Sequence, residues 1–259
     1  MIWDFSDDEF IVLCNRYLDG DVPFPLTYTS RHRYEDDERR ALSEVSERLG
    51  TGLFAEIKPV FEILADPDLV IAAHARHDDD LDNPALRIRV HAARRGRRAV
   101  LVTMKPGETI YHSGGFTLTE CEPEELPALV VAQLPATDAG GGPVVPLLSE
   151  PEERDPFEVR QSLAFDSFEE TSESRSAAFW AASAEWNGFI RVRQGRSIYG
   201  PRGVMDSLLA WRDLRLDGRY LFEVGVADAQ AVPVSPLQLT ERVDARMWEV
   251  LSHREDRGE

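Results

Sequence analysis

Twice along this chain the hydrophobic period changes from that of a helix to that of a strand, and this alternation constrains the fold more than any single motif. After a helical N-terminal region, Leu69-Val70-Ile71-Ala72-Ala73 is a short apolar run, and Leu86, Ile88 and Val90 then alternate with Arg87, Arg89 and His91. The second of these reads as a strand with one apolar and one cationic face. Arg95-Gly96-Arg97 turns the chain into Ala99-Val100-Leu101-Val102, and Lys105-Pro106-Gly107-Glu108 turns it into Thr109-Ile110-Tyr111-His112. Strands joined by turns this short must be antiparallel. The pattern returns in Phe189-Ile190-Arg191-Val192-Arg193, Leu208-Leu209-Ala210-Trp211 and Arg219-Tyr220-Leu221-Phe222-Glu223-Val224.

Helices precede and follow each set of strands. Ser6-Asp7-Asp8-Glu9 is a capping box, and Phe10, Leu13, Cys14, Tyr17 and Leu18 form one stripe of a helix ending near Gly20. A connector, Pro23-Phe24-Pro25-Leu26, leads to a helix from Glu35 to Leu49 that buries Leu42, Val45 and Leu49 and stops at Gly50. Pro59 to Leu64 reads as a short helix begun by proline and closed by Asp66-Pro67. A helix from Pro123 to Leu134 ends the first set, and the last helix runs from Pro236 to Leu251. Between the sets lie a Gly/Pro-rich loop, 136–146, and an acidic helical stretch over 150–185 carrying Phe157, Leu163, Phe165, Phe168, Phe179 and Trp180. Gly96-Arg97 with the Pro123 helix matches Gly218-Arg219 with the Pro236 helix, so halves 1–135 and 147–259 read as pseudo-repeats joined by 136–146. The expectation is one α+β domain over 1–259 whose two antiparallel meanders join into a single sheet.

The 259 residues suffice to bury roughly three quarters of the unfolded surface without staples. Net charge is −18, and Lys58 and Lys105 are the only lysines among 29 basic residues. Such a balance argues against binding nucleic acid or docking on an anionic membrane, because both need a basic face. Cys14 on a helix stripe and Cys121 at a strand-to-helix junction read as buried thiols of a reduced compartment. With no basic leader before an apolar run and no stretch long enough to span a bilayer, the expected location is the cytoplasm.

Motifs for catalysis are missing: no G-x-x-x-x-G-K-[ST], G-x-S-x-G, H-E-x-x-H or C-x-x-C occurs. His74-Ala75-Arg76-His77-Asp78-Asp79-Asp80 comes nearest to a metal site. Strand positions three apart face opposite sides, so His74 and His77 converge only where a loop bends between them. The plainer reading is a solvated acidic loop continuing through Leu81-Asp82-Asn83-Pro84. His112-Ser113 are strand neighbours that point apart, and no acid at a fixed spacing completes a triad. The acidic runs Glu35 to Glu38, Glu122 with Glu124 and Glu125, and Asp166 to Glu173 read as soluble faces. Phe179, Trp180, Trp186 and Trp211 have two readings, core or a groove for another protein. The residues alone describe a soluble α+β protein better equipped to bind than to catalyse.

The order of segments resembles the EspG family, secretion-associated proteins of actinobacterial ESX (type VII) systems. The resemblance rests on Pro23-Phe24-Pro25-Leu26, the Glu38-Arg39 helix, Gly52-Leu53, and Phe61-Glu62-Ile63-Leu64-Ala65-Asp66-Pro67 entering a strand. It continues through the arginine-studded meander, Leu126 to Leu134, and Gly218-Arg219-Tyr220-Leu221 before the Pro236 helix. One departure is Asp213-Leu214-Arg215-Leu216-Asp217, where the family often carries an Asp-Thr-Pro-like run. The resemblance implies a non-catalytic, cofactor-free cytosolic chaperone that binds the apolar tip of a PPE protein, itself paired with a PE protein, and delivers it for secretion. It implies a central antiparallel sheet flanked by two helical bundles with quasi-two-fold symmetry. It also implies partner contact through the loop between the second and third strands, here His77 to Pro84 with His77, Asp78, Asp79, Asp80 and Asp82, with Arg191, Arg193 and Trp211 from the sheet and Phe179 and Trp180 from the C-terminal bundle. Two other readings stand beside it: a metal-dependent enzyme using His74, His77 and Asp78, and a self-associating structural protein, with a homodimer as the unbound form.

Overall fold

The computed structural model describes residues 1–148, 171–197, 199–200 and 203–258. Its N-terminal capping box forms as the sequence predicts, with the Ser6 amide donating to Glu9 Oε2 at 2.9 Å and the Glu9 amide to Ser6 Oγ at 3.3 Å. This starts α1 (Asp7–Tyr17), which buries Phe10, Leu13 and Cys14 completely. Helix α2 (Glu35–Ala65) is two helical runs bent at Gly50, whose φ of 66° and ψ of 171° no helix accommodates. The second run starts directly after that bend and not at Pro59. Phe54 and Ile57 extend the buried stripe of Phe61 and Leu64 backwards, and the helix gains more from that burial than it loses at the proline.

Among the described residues there are ten strands, most of them at the period-two segments. They are β1 (Ile2–Phe5), β2 (Leu69–His77), β3 (Arg87–Arg95), β4 (Arg98–Pro106), β5 (Ser113–Cys121), β6 (Val145–Pro146), β7 (Ala184–Gln194), β8 (Asp206–Leu214), β9 (Gly218–Glu223) and β10 (Gln230–Pro233). They form one sheet in the order β1-β5-β4-β3-β2-β7-β8-β9-β10-β6, with antiparallel neighbours throughout. The two meanders therefore do join, and the seam is the nine-residue pairing of β2 with β7, from Leu69 opposite Gln194 to His77 opposite Trp186.

Helices cover both faces, unequally. On the first face, α3 (Leu126–Val131) and α5 (Pro236–Arg257) lay Leu126, Val130, Leu239, Val243, Met247 and Val250 over Leu69, Ile71, Ala73, Ala92, Ile190, Val192, Leu209 and Trp211. On the second face, α1 and α2 cover Val100, Val102, Phe116 and Leu118 of the outer strands β4 and β5. At the other end of that face, Phe179 of α4 (Ser172–Ala181) meets Tyr220, Ala231 and Leu147.

Several expectations are corrected. Thr109 to His112 is not a strand: the Thr109 hydroxyl lies 2.8 Å from His112 Nδ1 and accepts from the Tyr111 amide, a local turn that outcompetes pairing after donor-less Pro106. The Pro123 helix opens as a 3-10 turn, Pro123–Glu125, before α3. Strands β1, β6 and β10 were too short to show a period. Of the helical stretch expected over 150–185, residues 171–185 are described and hold α4 and the start of β7, a strand where a helix was expected; Phe157, Leu163, Phe165 and Phe168 lie outside the described residues.

The joining loop 136–146 is held against the sheet. The Arg219 amide donates to the Asp138 carbonyl at 2.8 Å, the Gly142 amide to the Tyr220 hydroxyl at 2.9 Å, and the Gly141 amide to Asp217 at 2.6 Å. Gly218 has a φ of 145°, and a Cβ there would come within 2.7 Å of Ala139. Behind them Arg219 and Asp213 form a buried two-pronged ion pair at 2.7 Å on each prong, with Arg219 also donating to the Pro135 carbonyl. The Gly218-Arg219-Tyr220 run is thus the clamp that holds this loop against β9.

Candidate partner-binding surface

Between the parts of the second face covered by α1, α2 and α4, strands β3, β2, β7 and β8 present mostly partly exposed side chains, with Ala72, His91, Ala93 and Arg212 buried among them. The pairing registers align them in rows. Arg87, Arg76, Asn187 and Arg212 make the first row; Arg89, His74, Phe189 and Ala210 make the second, which Phe222 of β9 extends. His91, Ala72, Arg191 and Leu208 make the third, and Ala93, Val70, Arg193 and Asp206 the fourth.

The second row is the apolar one. The Phe24 ring, 57% exposed, stacks on Phe189 with centroids 6.1 Å apart. The connector holding it is fixed by His91, whose Nδ1 donates to the Phe24 carbonyl at 2.8 Å. At the other end of the row, Trp180 is 48% exposed and meets Phe222 edge-on at 5.5 Å. Arg212 sets the position of Trp180, because its guanidinium donates to the carbonyls of Phe179 and Ala182 at the C-terminal end of α4 and to Asn187 Oδ1. Burial, followed by the charges of Arg89, Arg87 and Arg76, pushes the His74 imidazole down to about 4. His74 is therefore neutral near pH 7 and contributes to the apolar row.

The sequence-predicted residues separate into three groups. Asp78, Asp79, Asp80 and Asp82 are exposed on the β2–β3 loop, and His77 is half-buried at its base. That loop is anchored: the Asp78 amide donates to the Glu185 carbonyl at 2.9 Å, Asp79 pairs with Arg215, and the His77 ring meets Trp186 edge-on at 5.1 Å. Arg191 and Arg193 lie on the second face, Arg191 in a two-pronged pair with Asp206 and Arg193 exposed. Trp180 is exposed over Phe222 and Arg212.

Trp211 and Phe179 do not fit the surface expected of them. Trp211 points to the first face, 1% exposed, under Arg219 at 5.4 Å and against Gly188, where a Cβ would lie 2.3 Å from the indole. Strand parity decides this, since Ala210 and Arg212 take the second face and Trp211 must take the first. Phe179 is on the correct side but 5% exposed, packed edge-on to Tyr220 and beneath Trp180. Both support the surface from behind.

The metal-site reading also meets strand parity. β2 runs straight through His77, so His74 faces the second side and His77 the first. Among the described residues, no group of three His, Cys, Asp or Glu side chains could hold an ion.

The EspG family model matches residues 6–245. The chain belongs to the EspG family. It is also similar to a solved structure described as that of the Mycobacterium tuberculosis type VII secretion system chaperone EspG5 in complex with the PE25-PPE41 dimer. The two are 17% identical, the match covers 94% of this chain and 95% of that one, and the TM-score is 0.55, which establishes a shared fold. No curated protein matches the chain. Among the described residues of this EspG-family member, no helix is long and apolar enough to cross a membrane.

Sequence reasoning missed Phe24, Phe189, Phe222, Arg76, Arg87 and Arg89 as members of this surface. The alternation of β3 announces its two arginines, and a period-two reading of β7 puts Phe189 beside Arg191 and Arg193. What no local pattern shows is the β2–β7 register, which brings these segments into common rows.

Proposed function

We propose that this EspG-family protein is a non-catalytic cytoplasmic chaperone that binds a PE–PPE-type heterodimer by the apolar tip of its PPE-type subunit, keeps it soluble and directs it to a type VII secretion machine. The family match over residues 6–245 carries this reading, and the EspG5 likeness, in a structure that holds a PE25-PPE41 dimer, supports it. The contact surface in this proposal consists of the apolar row Phe24, Phe189, Phe222 and Trp180, flanked by Arg191 and Arg193. The loop residues Asp78, Asp79, Asp80 and Asp82 form its rim, and His77 holds the base of that loop from the first face. Apolar contacts at the centre supply the driving force and polar rim contacts select the client.

The chain acts as one domain, with halves 1–135 and 147–259 arranged about the β2–β7 seam. A net charge of −18 suits a carrier that must mask an apolar tip without aggregating.

Co-expression with the PE–PPE-type pairs of its own genome tests the proposal. A soluble three-protein complex that survives gel filtration is the expected result, and failure of every such pair to be solubilised would overturn it. Light scattering of the unbound protein then separates a monomer from a homodimer.

A further inference from the structure

The arginines of the second face are placed at a cost. Arg76 and Arg87 sit directly opposite each other across β2 and β3, and Arg89 is opposite His74 in the next row. Like charges in cross-strand pairs repel. Arg87 donates to the Leu81 carbonyl at 2.6 Å, while its buried Nε has no hydrogen-bond partner; Arg89 reaches Met104 Sδ at 4.0 Å. Among the described residues, none of Arg76, Arg87 and Arg89 has a carboxylate in ion-pair range, although Arg191, Arg215 and Arg219 in the same sheet region each have one. Acidic side chains are not scarce in a chain with 47 of them against 29 basic ones. Burial and Arg87 together also push the Arg89 guanidinium below its usual range.

Covering this face with a purely apolar surface would strand three guanidiniums out of water without counter-charge, which is strongly unfavourable. An occupant that lies on Phe189 must therefore bring carboxylates to the neighbouring arginines. The spacing is defined: the Arg76–Arg87 row lies two residues along the strands from the Phe189 row, roughly 7 Å. A client that presents a helix to this face matches the span with positions three or four residues apart.

We propose that Arg76, Arg87 and Arg89 form a carboxylate-reading site, and that the client of this chaperone carries Asp or Glu three or four residues from the apolar side chains of its tip. The inference rests on the client-binding reading above and specifies the chemistry of that client. It assigns the charged half of recognition to the β2–β3 side of the face and the apolar half to Phe24, Phe189 and Phe222.

The test uses the full-length chain and the PE–PPE-type pair that it solubilises in co-expression, with affinity measured by calorimetry at about 50 and about 500 mM salt. The wild-type protein is expected to lose roughly tenfold in affinity across that range. Arg76→Glu with Arg89→Glu should lose at least about tenfold at low salt and most of the salt dependence. Phe189→Ala should weaken binding at both salt concentrations and leave the ratio between them unchanged. Should the double reversal fold poorly, Arg76→Gln with Arg89→Gln gives the same comparison, and the wild-type salt titration needs no variant. Acid-to-lysine changes on the client tip should restore binding to the reversed chaperone. Wild-type binding that is indifferent to salt, or reversed arginines that bind as well or better, would overturn the carboxylate site while leaving the chaperone reading intact. Should no pair bind at all, both fall together.

Discussion

The two faces of the sheet are made by the same strands and differ in almost every physical respect. Ile190 and Val192 point into a dry layer closed by α3 and α5, while Phe189, Arg191 and Arg193, their immediate neighbours in sequence, point to a partly exposed surface. Ala73 and Leu69 stand in the same relation to His74 and Val70. Alternation thus divides each strand: one parity holds the molecule together, and the other carries the face proposed above to meet the client. A sheet with helices over the centre of both faces would be more stable and would have nothing to offer a partner.

The largest stability losses are expected on the first face. Trp211→Ala removes a fully buried indole that fills the space left by Gly188, and should cost about 3–5 kcal/mol in denaturant unfolding. Asp213→Ala should cost a similar amount, about 3–5 kcal/mol, because it leaves Arg219 buried without its counter-ion and loosens the clamp on 136–146. Losses under 1 kcal/mol for both would contradict the assignment of the first face as the structural one.

A second-face residue that breaks the division is His91. It carries second-face parity, yet it is buried beneath the Phe24 connector, and burial pushes its imidazole down to about 4 despite the opposing hydrogen bond to the Phe24 carbonyl. The folded protein resists protonating this ring, whereas the unfolded chain protonates it near pH 6.5. Stability from His91 is therefore fully present above pH 6.5, falls as pH drops from there to about 4, and is level below. The span is worth about 3 kcal/mol at most. Chemical unfolding of wild type and His91→Gln between pH 7 and 4 checks this: the carboxylates contribute alike to both, and the variant should show the shallower decline. Equal slopes would mean that His91 is already solvated in the native state.

Much of this division was legible before the structure, and the unread part has a common cause. The capping box at Ser6, the strand alternation of β3 and β7 and the joined meanders follow from local chemistry, because period and turn residues act over a few positions. Trp211 was misassigned because a tryptophan in a strand is equally at home in a core or on a binding surface, and only the parity of Ala210 and Arg212 against a neighbouring strand separates the two. The composition of the Gly/Pro-rich 136–146 loop does not show what holds it; its anchors, Asp213, Asp217, Arg219 and Tyr220, are some eighty residues away along the chain. The carboxylate-free arginines stand out only once the β2–β3 and β2–β7 registers place Arg76, Arg87, Arg89 and His74 side by side.

The smallest stability effect should come from the residue most exposed to the division, Phe189. Its ring touches Phe24 and His74 on a partly open surface, so Phe189→Ala forfeits stacking without opening a sealed cavity and should shift unfolding free energy by no more than about 1 kcal/mol. Ile190→Ala, one position along and fully buried, should cost about 2–5 kcal/mol. Client affinity should rank the two in the opposite order, with Phe189→Ala at least about tenfold weaker and Ile190→Ala close to wild type while folded. Measuring unfolding and binding for this adjacent pair isolates side-chain direction from every other variable of position, strand and register. If the two substitutions moved stability equally, the central strands would be covered on both sides, and the second face could not be where a client docks.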